Sequence, residues 1–447
     1  MAGLLQAAEL FGEDIPALAG LREKGRSFFA LPAPKNEAWK YTGLQSLNCD
    51  DFAVLPSKFL QEAEEEHHCH CGEHDCESEE HCCCGDEHCR CHHPQPPVTA
   101  LPFDAYPLYF CNGQFIPIYP AVPQGVEIMT LMEAVVNGEV KNYLNKNIDL
   151  AQYPFAALNT AYLEEGLFIK IGRNVRLNRP ILLINRNSGK QQNLLCNLRN
   201  LIVCESGSEA ALLEWFDGDS PRYFNNSVNE IYLQAGARLN HYKLQNESPE
   251  AVHIALNRVL LREGAVYNGF CLQKGGKTAR NETKLDLLQE NAKAEVNAAY
   301  VAAGSAVTDT TTDIEHIAPH TYSAQVVKGV IKDKARGVFQ GRIHILPDAQ
   351  ATEGSQLHRA MLLSDDAEVD VKPELRIYAD DVKCSHGAAC GRLDEEQLFY
   401  LRSRGIDEDA AKKMLIEAYL FEAINRIEES NIREWFMQKA MESRCDK

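Results

Sequence analysis

The chain has 447 residues, 45% of them hydrophobic and 24% charged, which is ordinary for a soluble globular protein able to bury one large core or two to three smaller ones without covalent staples. Its formal net charge of -19 argues against nucleic-acid phosphate as a partner, because a polyanion is bound by Lys and Arg that displace condensed counterions. About half of that charge is local: between Glu62 and His93 eleven Asp and Glu stand against the single Arg90.

The N-terminal run MAGLLQAAELFGEDIPALAG carries acids where a signal peptide carries basic residues, and no stretch reaches the roughly 20 apolar residues that span a bilayer. The expectation is a cytoplasmic protein with no membrane partner. Residues 1–61 read as helix and connector, with Leu4, Leu5, Ala8 and Leu10 as an apolar stripe and the Pro32 and Pro34 pair breaking it before Trp39 and Tyr41. Residues 62–97 form an acidic Cys/His-rich low-complexity insertion. It has no apolar periodicity, and three of its last four residues are proline, so it is expected to be disordered or ordered by metal. Of sixteen cysteines eight crowd into this segment, and the scatter of the rest fits reduced thiols better than disulfides.

From residue 98 to residue 392 short alternating segments rich in Val, Ile, Leu and Tyr are punctuated by Gly, Asn and Asp, the pattern of strands and turns. Turn-like signatures recur at Gly207, Gly236, Gly264 and Asn291, separated by 29, 28 and 27 residues, and again at Gly337 and Asp366, 29 apart. A 46-residue gap from Asn291 to Gly337 interrupts the rhythm, so the repeat is degenerate. If it marks a solenoid, each coil buries its inward residues only against its neighbours. Residues 393–447 turn helical. Asp394 with Gln397 predicts a capping box, Leu398, Phe399 and Leu401 a buried stripe, and Gly405 the stop. Asp407 then caps a longer helix, along which Ala411, Met414, Leu415, Ala418, Leu420, Phe421 and Ile424 recur mostly at spacings of three and four.

Three sets of residues carry possible chemistry. Cys69, Cys71, Cys76, Cys82, Cys83, Cys84, Cys89 and Cys91, with eight histidines among them, supply thiolates and imidazoles that ligate zinc, nickel or copper. Their CxC and CCC spacings spell no single tetrahedral site, so a used metal-holding segment and a tolerated insertion that binds metal incidentally both stand. In KCSH, Lys383 would favour a Cys384 thiolate, and on a strand Cys384 and His386 face one side. A structural histidine in a turn is the alternative, and no GxSxG context supports Ser385 as a nucleophile. Finally, His316 with His344 and His358 with His386 are each 28 apart. In a solenoid of that pitch such pairs would stack about 4.8 Å apart, as a metal pair or as an ordinary polar ladder.

The run VKPELRIYADDVKCSHGAACGRLDEEQLFYLRSRGI, preceded by GVFQGRIHILPDAQATEGSQLHRAMLLSDDAEV, resembles the C-terminal half of the SufB and SufD family of iron-sulfur assembly proteins. KNEAWKYT, from Lys35 to Thr42, resembles the amino-terminal signature of the SufD branch, and LNTAYLEEGLFIKI and NRPILLI extend the similarity over nearly everything but the insertion. The resemblance implies a mainly β chain, a right-handed parallel β-helix between N-terminal and C-terminal helical domains. It implies pairing with a SufB-like subunit, docking of a SufC-like ABC ATPase on the C-terminal helices, where Met414 and Phe421 are the expected contacts, and a possible homodimer in isolation. The family's functional histidine falls on His386, at the interface where a nascent iron-sulfur cluster forms, its cysteine on Cys384, and the counterpart of the SufB cluster cysteine near His358. Ala389 and Cys390 depart from the family pattern. With no GxxxxGK[ST] loop of its own, the chain is expected to be a noncatalytic scaffold. The rivals are a metal-storage protein or metallochaperone acting through the Cys/His segment, and an exported solenoid enzyme.

Overall fold

The computed structural model describes residues 16–33, 35–44, 47–54, 101–189 and 193–442. The expected Leu4 to Leu10 stripe and the Cys/His-rich segment, with all eight of its cysteines, lie outside them. Among the described residues nineteen strands make two sheets. One holds Tyr106–Cys111 (β1), Gln114–Ile116 (β2), Ile181–Asn187 (β5), Glu209–Gly218 (β7), Arg238–Glu247 (β9), Val266–Gly275 (β11), Lys293–Ala302 (β13), Tyr322–Ile331 (β15), Thr352–Leu362 (β17) and Val382–Arg392 (β19). The other holds Val126–Thr130 (β3), Leu167–Ile171 (β4), Leu194–Cys204 (β6), Tyr223–Leu233 (β8), Val252–Leu261 (β10), Thr278–Leu287 (β12), Val307–His316 (β14), Arg336–Ile345 (β16) and Glu368–Ile377 (β18). From β4 onward the chain alternates between the sheets. From β6 onward each strand pairs in parallel with the strand two before it, and β5 pairs with β1, which gives eight coils of a β-solenoid.

The coils are held in register at their turns. Gly207, Gly236, Gly264, Asn291, His320 and Ala351 all have positive φ, between 53° and 70°, on one side of the solenoid. The Gly207 N–H donates to the Ala235 carbonyl, Gly236 to Glu263, Gly264 to Glu290, His320 to Gln350 and Ala351 to Asp381, at 2.7–3.0 Å, so these five turns are bonded to the ones that follow them. The sequence rhythm is corrected here. Gly337 lies inside β16, Asp366 lies in a turn on the opposite side, and the series after Asn291 continues through His320 and Ala351. Neither carries a turn signature in the sequence, because histidine and alanine seldom enter this backbone region.

Inward residues alternate along each strand. Leu183, Leu212, Ile231, Leu239, Val259, Leu285 and Ile314 fill one flank of the lumen. The other flank is polar: the Glu214 carboxylate meets His241 Nε2 at 2.8 Å, His241 Nδ1 meets the Tyr267 hydroxyl at 2.9 Å, and Glu247 lies 2.8 Å from His253. Helices cover the outside. Pro16–Phe28 (α1) crosses Pro154–Ala161 (α3) so closely that a Cβ on Gly25 would sit 2.4 Å from the Ala161 nitrogen. Leu131–Val136 (α2) is closed by a full capping box between Thr130 and Glu133. The KNEAWKYT segment is a clasp. Trp39 packs on Phe155 and lies under the Arg280 guanidinium at 4.1 Å, Arg280 also donates to the Ala38 carbonyl, and the Thr42 hydroxyl donates to Asp309.

At the C-terminus Glu395–Ser403 (α4) packs on Glu408–Ile424 (α5), which lies against β13 and β15, and Ser430–Met441 (α6) lies against β11. The Asp394 carboxylate accepts from the Glu396 and Gln397 N–H groups, and Asp407 caps α5 in the same way. Phe399, expected in a buried stripe, is instead 74% exposed, and of that turn only Leu398 is buried. The third helix, α6, anchors the group by setting Trp435 on Trp215 and Phe436 on Phe270 and Tyr242. The buried Lys328 of β15 pairs with Glu422 of α5 and lies 4.6 Å from the Tyr419 ring.

The N-terminal covering is tied down by an ion pair from which water is excluded. Arg199 and Glu230 meet at 2.7 Å, and Glu230 also accepts the Asn145 N–H. Breaking such a pair strands a buried charge, at a cost of about 3–5 kcal/mol. Glu230→Ala is therefore expected to lower the urea midpoint strongly, and a double replacement of Arg199 and Glu230 by Met to recover much of the loss. A midpoint within experimental error of wild type in Glu230→Ala would contradict this.

Candidate functional site

The two ends of the solenoid differ. At the N-terminal end the antiparallel strands β2 and β3, three and five residues long, close the two sheets. Short antiparallel closures of this kind blunt an edge against further pairing. At the C-terminal end β18 and β19, ten and eleven residues long, are edge strands with no strand beyond them among the described residues. β18 carries Pro373 at its middle, which removes a donor, whereas β19 has none and is rich in Gly and Ala from Gly387 to Gly391. The β19 edge is thus the more open to pairing.

Cys384, His386, Ala388 and Cys390 share the lumen-facing side of β19, in register with Gly354, Gln356, His358 and Ala360 of β17. Cys384 packs beside Ile343, Ile345 and Val382 at the lumen's end, and His386 is exposed because no further coil covers it. The expected activation of Cys384 by Lys383 is not what the structure shows. Lys383 lies on the opposite face of the strand and pairs with Glu353 at 2.9 Å, and partial burial pushes the Cys384 thiol up rather than down. Cys390 borders a surface groove of about 380 Å³ between the last coil and α5, with Arg359 and Tyr419 beside it.

His358 is a core residue. It is stacked on Phe339 at 5.1 Å, its Nε2 meets the Tyr300 hydroxyl at 3.0 Å, and burial lowers its pKa to about 4. The 28-residue histidine pairs are out of register. His316 sits opposite Ile345 and His344 opposite Glu315, so one ring points inward and the other outward, while His358 faces Ala388 rather than His386. The coils here repeat in 29 and 30 residues, not 28. His316 is itself satisfied inside the protein by Thr321 and Ser323. Met414 and Phe421 are exposed on α5, and with Phe399 and Tyr400 of α4 they leave apolar surface uncovered on the C-terminal helices.

A set of residues that the sequence did not reveal lies deep in the lumen. Lys243 is buried without a hydrogen-bond acceptor and lines, with His241, Tyr267 and Cys271, a cavity of about 30 Å³, and the Glu214 carboxylate acts on its charge. Burial lowers the Lys243 pKa and raises that of Cys271 to about 12. The only signal was the alternation of charged residues with Leu in β7 and β9, which reads equally well as a solvent-facing pattern. No helix among the described residues is long and apolar enough to cross a membrane.

Residues 186–419 match the family model "SUF system FeS cluster assembly, SufBD core domain", and residues 98–183 match "SufBD protein N-terminal region". The chain is 30% identical over 407 residues to the iron-sulfur cluster assembly protein SufD of Escherichia coli K12, which covers 90% of this chain and 87% of that one. It is 29% identical over 411 residues to an iron-sulfur cluster assembly SufBD family protein of Synechocystis sp. PCC 6803, covering 89% and 84%. Against the chloroplastic protein ABCI7 of Arabidopsis thaliana the identity is 31% over 288 residues, covering 63% and 61%.

The buried His358 makes stability depend on pH. Between its ordinary value of 6.5 and its folded value of about 4 the unfolded chain binds the proton and the folded chain does not, so stability is full above pH 6.5 and is lost as the pH falls towards 4. His358→Gln is expected to flatten part of that slope in denaturation curves between pH 7 and pH 4. An unchanged slope would mean that His358 is protonated in the folded state.

Proposed function

The chain belongs to the SufBD family of iron-sulfur cluster assembly proteins, and from that premise we propose that it is the SufD-type scaffold subunit of an assembly complex, pairing through β19 with a SufB-like solenoid. The observation that carries this reading is the asymmetry of the ends: among the described residues the one long, proline-free edge is the strand that bears Cys384 and His386. A second solenoid laid against β19 would continue the ladder and exclude water from both side chains. We take the coils to wind right-handed, as connections between parallel strands of one sheet nearly always do.

In this reading the nascent cluster is cargo, held across the interface. His386 offers a neutral imidazole nitrogen, and Cys384 a thiol that gives up its proton as metal binds. Two donors from this chain leave the other cluster ligands to the partner. His358 contributes from behind, as a rigid neutral core residue under Ala388. The apolar surface around Met414 and Phe421 is the proposed seat of a SufC-like ATPase. Because α5 is fastened to β15 through Lys328 and Glu422, movement of that helix would be felt in the coils next to the site. A reducing cytoplasm suits thiols kept free for this work. The Cys/His-rich segment is accessory in this account, so removal of residues 64–94 should leave cluster loading intact, whereas a metal-storage protein acting through that segment would lose its activity.

His386→Ala is expected to keep its melting temperature within a few degrees and to co-purify with both partners, yet to lose most of the iron and sulfide of the co-expressed complex, with Cys384→Ala losing less. Normal cluster content in His386→Ala would sink the assignment. Phe421→Ala combined with Met414→Ala should weaken capture of the ATPase about tenfold, since two partly exposed apolar anchors together contribute about 1–2 kcal/mol, and should leave pairing with the SufB-like subunit unchanged. Loss of monomer stability with unchanged ATPase affinity would show that the pair only covers the solenoid.

A further inference from the structure

Arginines of this solenoid are typically engaged by a carboxylate from a neighbouring coil, as Arg186 is by Asp217 and Asp219, Arg336 by Glu368 and Asp370, and Arg342 by Asp313. Among the described residues Arg173, Arg262 and Arg359 alone have guanidiniums without an ion-pair or hydrogen-bond partner, and the first two line one surface cleft of about 490 Å³. The carboxylate in that cleft is already taken. Glu205 Oε2 accepts the backbone N–H of Arg173 at 2.9 Å, and its Oε1 lies 3.9 Å from Lys170. One unpaired arginine on a surface is ordinary, since water solvates it. Two in one cleft of small-molecule size form a recognition element, because each guanidinium is always charged and offers a planar fork of donors that matches an oxyanion.

The cleft has a rigid wall and an apolar floor. Successive coils build the wall: the Glu205 N–H donates to the Ile171 carbonyl, Gln234 to Cys204, Arg262 to Leu233 and Leu288 to Leu261, all at 2.9–3.0 Å. Arg173, beside the first of these rungs, stands three coils from Arg262, or about 14 Å at the backbone. Ser206 and Gln234, neutral and polar, lie on the coils between them. On the floor Tyr232 and Leu260 are buried, at 8% and 6% exposure, and pack in one apolar cluster with Tyr143 and Leu288. The Tyr232 hydroxyl donates to the Tyr143 carbonyl at 2.6 Å and accepts from Asn147 Nδ2 at 3.0 Å, which holds both rings in place.

We propose that this cleft binds a small organic anion with an oxyanion at each end and an apolar or aromatic body, Arg173 taking one end and Arg262 the other. The body lies on the tyrosine and leucine floor, and Ser206 and Gln234 meet whatever polar atoms it carries. The site belongs to the coils of β4 to β12, in the N-terminal half of the solenoid, so it requires nothing from Cys384 or His386.

The test is calorimetric titration of the full-length chain with biphenyl disulfonate, a rigid aromatic rod carrying one sulfonate at each far end, beside biphenyl monosulfonate and inorganic sulfate. The disulfonate is expected to bind about tenfold more tightly than the monosulfonate, and Arg173→Gln and Arg262→Gln are each expected to lose about tenfold, the worth of one charge-assisted contact in a partly exposed site. Both arginines are exposed, so the variants should fold as the wild type does. Arg359→Gln, which removes the third unpaired arginine, should leave the affinity unchanged. Equal affinity in wild type and in the double variant Arg173→Gln with Arg262→Gln overturns the site, as does absence of heat at about 10 mM disulfonate, a concentration that reveals even binding weaker than about 4 kcal/mol. A disulfonate that binds no more tightly than the monosulfonate overturns the two-ended ligand.

Discussion

Each coil of this solenoid covers its inward side chains and satisfies its strand hydrogen bonds only through the coils before and after it. That constraint makes the terminal coils different from all others. At one end the chain meets it with the short antiparallel strands β2 and β3. At the other it leaves β18 and β19 open, with Cys384 half-covered and His386 bare. The proposed cluster site sits where the repeat stops, because there an inward-facing residue becomes reachable from outside.

The same constraint explains the helices. Nothing in a two-sheet coil covers its outer faces, so the elements before and after the strands do. The Trp39 clasp and the Arg199–Glu230 pair fix the N-terminal segments, and Trp435, Phe436 and Lys328 fix the C-terminal ones. Buried charge in such places contributes little net stability but makes misplacement costly, which suits parts that must hold one arrangement against a long flat sheet. The exposed Phe399, Tyr400, Met414 and Phe421 are what remains of the helical surface once that anchoring is done.

Much of this was legible beforehand. Gly207, Gly236, Gly264 and Asn291 mark true turns because glycine and asparagine readily take a left-handed backbone, and the helix caps Asp394 and Asp407 stand where short acidic side chains precede an apolar run. The family signature around His386 was equally plain. What failed was whatever depended on register or on facing. The two histidine pairs do not stack because these coils repeat in 29 or 30 residues rather than 28, and a slip of one residue turns a side chain to the other face. Lys383 misled for the same reason, since adjacent residues on a strand point apart. The buried polar lumen could not be read at all, because whether a polar residue in an alternating strand has a partner depends on what faces it across the lumen.

The account stands or falls on β19 being a pairing edge. Amide hydrogen exchange across Val382–Arg392, compared between the isolated chain and its complex with a SufB-like subunit, tests this most directly. The account predicts rapid exchange on the outer edge of β19 in isolation and strong protection in the complex, with the N-terminal strands β2 and β3 unaffected. A stable complex in which β19 exchanges as fast as in the free chain would contradict it.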